Sequence, residues 1–220
     1  MSAEALQFND MGSSIKTENP ILQRLLELLP VFQNEYANRL NEAVASNSQQ
    51  KIGNCYPWHT KIAMSVLLKV ASEKRHDVKI VSGGFGEFYD DAFAEKLQAV
   101  LDAGNDVSII VWHDDPSVIE EPIKSFLSKA QKDSAGAKRG KLKLKIAGKL
   151  ASPSTKPIMH FCLVGDFAYR REMPHGDFKG QKFDDFSPKV AATICFNDSA
   201  GGKQLCNLFD LAWEALPSVA

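Results

Sequence analysis

Apolar residues recur at helical spacing in the first part of the chain. After Asn19-Pro20, a pair that suits the start of a helix, leucines and isoleucines follow three and four residues apart. Pro30 lacks an amide hydrogen and is expected to kink or break this helix, so that a second helical piece runs over residues 31–46. Residues 47–54 are polar and predict a linker.

From residue 57 onward, helical segments alternate with short apolar runs that are typical of strands covered on both faces. The predicted strands are residues 78–81, 107–112, 158–164 and 190–196. The last helix carries Leu205, Phe209 and Trp213 on one side, and Phe209 and Trp213 are expected to bury together against the sheet. This order predicts an α/β fold with a mixed sheet and helices on both faces.

These patterns divide the chain into three parts. Residues 1–18 are predicted to be a flexible tail, residues 19–50 an N-terminal helical extension, and residues 51–220 the α/β domain. The composition is 44% hydrophobic and 24% charged, which is ordinary for a globular chain of this length. We expect the extension to serve dimerisation or the docking of a partner.

Charge and cysteine content exclude several classes of protein. The formal net charge of −1 offers no global field that would favour nucleic acid or an anionic membrane. Four widely spaced cysteines without a Cys-x-x-Cys pair indicate buried, reduced thiols rather than a metal or disulfide site. No signal peptide and no apolar stretch of roughly 18 residues is apparent. We therefore expect a cytoplasmic protein with no membrane association, no metal and no cofactor.

The segment of residues 158–172 carries the most chemical information. An apolar strand that contains His160 runs into a Gly-Asp turn and then a second strand with Arg170, Arg171 and Glu172. Arg170 and Glu172 share one face of the second strand, and a hairpin brings the faces of its two strands together. They either pair with each other or line a pocket with His160.

The order of elements from about residue 57 to residue 216 resembles one unit of the phospholipase D-like superfamily. The resemblance includes the helix and strand at residues 93–112 and a late strand before the helix that holds Phe209 and Trp213. It implies a His-x-Lys motif and an Asp, with the His attacking phosphorus and the Lys holding phosphate oxygens. It also implies that a chain with one motif dimerises to supply a second His.

The chain departs from this motif at three points. His160 can occupy the nucleophile position, but Cys162 stands where the family has its Lys. Asp166 is one residue too close to the His, and residues 169–172 replace the family's Gly-Ser-x-Asn. These departures argue against ordinary phosphodiester hydrolysis. His160 is then a nucleophile, a ligand-binding group or a satisfied core histidine.

If the site is a variant enzyme, His160, Arg170 and Glu172 are its catalytic candidates, with Arg170 replacing the Lys as an anion binder. The candidate phosphate-binding residues are Arg171, His113, Asn197, Lys143 and Lys145. His113 and Asn197 follow strands, where α/β sheets place their binding loops, although both neighbourhoods also suit helix capping. Lys141, Lys143 and Lys145 alternate along a strand and predict a solvated edge or a phosphate-binding row.

Three hypotheses follow from these features. The leading one is a phospholipase D-like protein with an altered active site, non-catalytic or weakly catalytic, that acts through protein contacts as a homodimer or complex subunit. The first alternative is a metal-independent phosphodiesterase or nuclease with His160 as nucleophile. The second is a protein that binds nucleic acid without cleaving it.

Overall fold

A computed structural model describes residues 20–83, 90–112, 125, 139–147, 159–173 and 191–216. Its helices are α1 (Pro20–Ala45), α2 (Pro57–Lys74), α3 (Asp91–Asp102) and α4 (Ser199–Ala215). Its strands are β1 (Ile52–Asn54), β2 (Val78–Ser82), β3 (Val107–Trp112), β4 (Leu142–Ala147), β5 (Phe161–Val164), β6 (Ala168–Glu172) and β7 (Ala192–Cys195). None of the helices in these ranges is long and apolar enough to cross a membrane.

All the strands belong to one sheet, in the order β1-β7-β6-β5-β2-β3-β4. Strands β2, β3 and β4 run parallel, and the other neighbours are antiparallel. The strands predicted from the four apolar runs appear as β2, β3, β5 and β7 of this sheet. The predicted mixed α/β sheet is therefore confirmed.

The sheet has an apolar core on each face because nearly continuous apolar strands point side chains both ways. Helices α1, α2 and α3 pack on the first face, where Ile80, Ile109 and Cys162 lie. Helix α4 packs on the second face against Val81 and Ile110. The helices thus cover both faces, as the sequence predicts.

The predicted pairing of Phe209 with Trp213 is also present. Their rings stack on the second face with centroids 5.4 Å apart. Phe209 is buried, whereas Trp213 is only partly buried and rests at the edge of the second core.

The first two predicted helical pieces are one continuous helix. The expected break at Pro30 is wrong, because Pro30 lies at an exposed position inside α1 and tertiary packing of the following turns stabilises the helix. The C-terminal half of α1 packs into the first core through Tyr36 and Leu40, while Phe32 remains exposed. The division at residues 18 and 50 remains a prediction, and residues 1–18 lie outside the described ranges.

The prediction of a linker over residues 47–54 is wrong for its last three residues. Ile52–Asn54 forms the edge strand β1, which pairs antiparallel with β7. Ile52 is buried in the first core. Three residues are too few for a periodicity to be recognised, and the strand exists because the edge of β7 offers backbone hydrogen bonds.

Candidate functional site

The β5–β6 hairpin sets His160 directly opposite Glu172. The register pairs Cys162 with Arg170, and the Glu172 amide donates to the His160 carbonyl at 2.9 Å, just before β5 begins. Because side chains alternate along a strand, these four residues share one face of the sheet. That face is the one covered by α2.

Glu172 contacts two polar side chains on this face. One carboxylate oxygen lies 3.5 Å from Nδ1 of His160, and the other lies 2.5 Å from Nη1 of Arg170. Nη2 of Arg170 donates to the Thr60 hydroxyl of α2 at 2.8 Å. The side chain of His160 is 25% exposed, whereas that of Arg170 is 5% exposed. The site therefore has an accessible imidazole in front of a buried ion pair.

Gly83, directly after β2, makes room for the His160 ring. A Cβ atom at this position would lie 2.6 Å from Cε1 and 2.9 Å from Nε2 of His160, closer than atoms can approach without a shift. A residue with a side chain at position 83 would therefore clash with the His160 ring, which accounts for the glycine there.

Cys162 lies where the resemblance to the phospholipase D-like superfamily predicts a lysine. Its thiol is buried in the first core, and burial raises the pKa of Cys162 to about 12. The side chain is therefore neutral and directed into the core. It supplies no charge to the His160 site.

An aromatic cluster lies behind Arg170. Tyr36 of α1 stacks on His59 of α2, with ring centroids 4.0 Å apart. Burial, and secondarily the charge of Arg170, lowers the pKa of His59 to about 4. The neutral ring accepts a hydrogen bond from the Cys55 amide at Nδ1, at 3.2 Å. This histidine is a packing residue that holds α2 to the segment before it.

The predicted phosphate-binding residues that the structure describes do not gather at His160. Arg171 lies between Arg170 and Glu172 on β6, so its side chain points to the opposite face of the sheet. Asn197 lies beyond the far end of β7, where its side chain donates to the Asn47 carbonyl at 3.1 Å. His113 lies outside the described residues.

The two candidate lysines lie on β4, an edge strand of the sheet that is separated from β5 by β2 and β3. Lys143 is exposed and its ammonium lies 2.6 Å from a carboxylate oxygen of Asp106. Lys145 is buried and donates to the carbonyls of Trp213 and Leu216, each at 2.6 Å. The predicted solvated row is therefore wrong for Lys145, because its ammonium satisfies carbonyl groups at the end of α4.

Two residues of the site carry no signal in the sequence. Thr60 lies 110 positions before Arg170, and nothing local connects them. Gly83 suggests the end of a strand in the sequence, but nothing in the sequence identifies it as a neighbour of His160. Among the described residues, no group of three or more His, Cys, Asp or Glu side chains could hold a metal ion.

No protein-family model and no curated protein matches the sequence. The fold is similar to TrmBL2, an archaeal chromatin protein with a novel mode of DNA binding, at a TM-score of 0.51 and 10% identity over 90% of this chain and 66% of that one. It is also similar to Nuc from Salmonella typhimurium, a phospholipase D family member, at a TM-score of 0.50 and 10% identity over 77% of this chain and 97% of that one. The chain has a phospholipase D-like fold. At this identity the likeness concerns the fold, and activity has to be argued from the site.

Proposed function

We propose that this chain is a phospholipase D-like protein with an altered active site, which hydrolyses phosphodiesters weakly or not at all. It acts instead through protein contacts, as a homodimer or as a subunit of a complex. The observation that carries this proposal is Cys162, a buried neutral thiol where the family motif has its lysine.

Phosphodiester hydrolysis requires donors that stabilise the charge of the transition state. Attack on a phosphodiester builds negative charge on the phosphate oxygens, and losing one preorganised donor costs about a factor of 10²–10³ in rate. Among the described residues, Arg170 is a candidate substitute for the missing lysine, but its two terminal nitrogens contact Glu172 and Thr60, and its Nε is buried. Withdrawing it toward a phosphate would break a buried ion pair, at a cost of about 3–5 kcal/mol.

A second candidate is a metal-independent phosphodiesterase with His160 as nucleophile. It is favoured by the contact between Glu172 and Nδ1 of His160, since a carboxylate there orients the ring and leaves Nε2 as the nucleophilic atom. In this candidate Glu172 and Arg170 support the histidine rather than contact the phosphate. The third candidate, nucleic-acid binding without cleavage, has the likeness to TrmBL2 in its favour and the near-neutral charge against it.

A phosphodiesterase assay separates the first two candidates. Purified protein is assayed in a chelator on bis-p-nitrophenyl phosphate and on single-stranded DNA, beside His160→Ala and the matched control His76→Ala. We expect turnover at or close to background in all three proteins. A turnover far above background that copurifies with the protein, disappears in His160→Ala and survives in His76→Ala would overturn the proposal. Salt-dependent DNA retention without cleavage would favour the third candidate.

The assembly itself is tested by light scattering on a sizing column. Helix α1 exposes Phe32, which is suited to a contact with another protein surface. Phe32→Ser should weaken a homodimer or a reconstituted complex, whereas Asn34→Ser, a change at an exposed position two residues away, should leave it intact. A protein that remains monomeric and retains no partner at cellular concentration would contradict the proposal.

A further inference from the structure

A second cluster of reactive groups lies on the opposite face of the sheet from His160. Lys79 of β2 and Cys206 of α4 are 127 residues apart in sequence, and the Lys79 ammonium lies 3.1 Å from the Cys206 sulfur. Asp210, one helical turn after Cys206, lies 2.7 Å from the same ammonium. The cluster therefore joins a nucleophilic thiol, an amine and a carboxylate from two elements.

The amine is held in place beside the sulfur. Its contacts with Asp210 and Cys206 are supplemented by the ring of Phe209, whose centroid lies 5.4 Å from the ammonium. Burial acts to lower the pKa of Lys79, but the hydrogen bonds to Asp210 and Cys206 outweigh it and raise that pKa above its ordinary value. The Lys79 side chain is 24% exposed, and Cys206 is partly exposed, so a small oxidant can reach the cluster.

We propose that Cys206 and Lys79 form a redox-sensitive modification site, in which peroxide oxidation links the two side chains through a sulfur–nitrogen bond. Redox-active cysteines are found beside cations and open to solvent. A sulfenic acid condenses with a nitrogen nucleophile when one is within reach. The 3.1 Å separation brings the Lys79 nitrogen within that reach before any movement.

The chemistry balances in two steps. The Cys206 sulfur attacks one peroxide oxygen, the O–O bond breaks, and the products are a sulfenic acid and water; the sulfur is oxidised by two electrons and the peroxide is reduced. The Lys79 ammonium then releases one proton to solvent, and its lone pair attacks the sulfur. The S–O bond breaks, and the hydroxyl leaves as water with a second proton from nitrogen. The linked protein has lost two hydrogen atoms.

The link would tie β2 to α4 and close a long loop. Closing a loop of this length restricts the unfolded chain strongly, so the oxidised protein should melt at a higher temperature. A thiol reductant should open the bond and return the melting temperature to its original value.

The experiment treats the whole protein with hydrogen peroxide and measures its intact mass and its proteolytic fragments. We expect a loss of two hydrogen atoms, a linked peptide pair that contains residues 79 and 206, and a rise in melting temperature, all reversed by dithiothreitol. In Lys79→Arg, which keeps the charge but is a poor nucleophile, Cys206 should gain oxygen atoms without a link. Lys203→Arg is the matched control, since Lys203 is an exposed lysine on the same helix, one turn before Cys206, and it should link as the unmodified protein does.

Three results would overturn the proposal. The first is oxygen addition at Cys206 in the unmodified protein with no linked peptide. The second is a link to Lys203 in place of Lys79. The third is a loss of two hydrogen atoms that persists in Lys79→Arg, which would mark a disulfide between cysteines.

Discussion

Arg170 and Glu172, two residues apart on β6, form an ion pair of 2.5 Å whose side chains are only 5% and 11% exposed. Glu172 also contacts Nδ1 of His160, and Arg170 also donates to Thr60 of α2. A buried pair costs desolvation that its attraction repays only while both charges are present. The pair therefore makes the region behind His160 sensitive to any change that removes one partner.

Glu172→Gln should lower the free energy of unfolding by about 3–5 kcal/mol, because it leaves the Arg170 charge buried and uncompensated. Urea denaturation at neutral pH measures the change. Asp210→Asn is the control, since its pair with Lys79 is much more exposed and should be worth less than about 1 kcal/mol. If Glu172→Gln lowers the free energy of unfolding as little as the control does, Arg170 and Glu172 do not form a buried ion pair that stabilises the fold.

Gly83→Ala should displace the His160 ring, because the new methyl group would lie 2.6 Å from Cε1. Overpacking of this kind costs about 1–3 kcal/mol. The ring resonances of His160 in NMR spectra should shift along with the loss of stability. Gly53→Ala is the matched strand-edge control, with no atom within 4 Å of its Cβ position. Unchanged His160 resonances in Gly83→Ala would show that the ring is not packed on Gly83.

Lys145→Met should destabilise the protein by about 2 kcal/mol, because the carbonyls of Trp213 and Leu216 lose a charged donor. Lys143→Met removes only an exposed ion pair with Asp106 and should cost less than about 1 kcal/mol. Both changes are measured by urea denaturation. Equal losses in the two variants would mean that Lys145 does not support the end of α4.

The free energy of unfolding should fall as the pH drops from about 6.5 toward 4. The pKa of His59 is lowered to about 4 in the folded chain, so in this window the unfolded chain binds a proton that the folded chain does not. The loss should reach about 3 kcal/mol at the lower end. In His59→Gln, which retains an acceptor for the Cys55 amide, the slope should flatten. A slope unchanged in that variant would assign the effect to another group.

Hairpin geometry is the part of the site that local sequence determines most fully. The turn at Gly165 is short, its backbone has φ +58°, and the apolar strand before it has one register that keeps both faces buried. That register alone places Cys162 opposite Arg170 and His160 opposite Glu172. The sequence also shows Cys162 two residues after His160, where the phospholipase D-like resemblance predicts a lysine, and the proposal of weak or absent catalysis rests on that position.

The type of each long element also follows from the sequence, because apolar periods of two and of 3.6 are local properties of the chain. The distant residues that complete each site are instead set by tertiary packing. Thr60 meets Arg170, Gly83 meets the ring of His160, and Lys145 meets the last carbonyls of α4 through contacts set by how helices pack on the sheet. Tertiary packing also explains why α1 continues past Pro30 and why Ile52–Asn54 pairs with β7 as an edge strand. Such contacts depend on the summed burial of whole faces rather than on any short segment, so no local pattern encodes them.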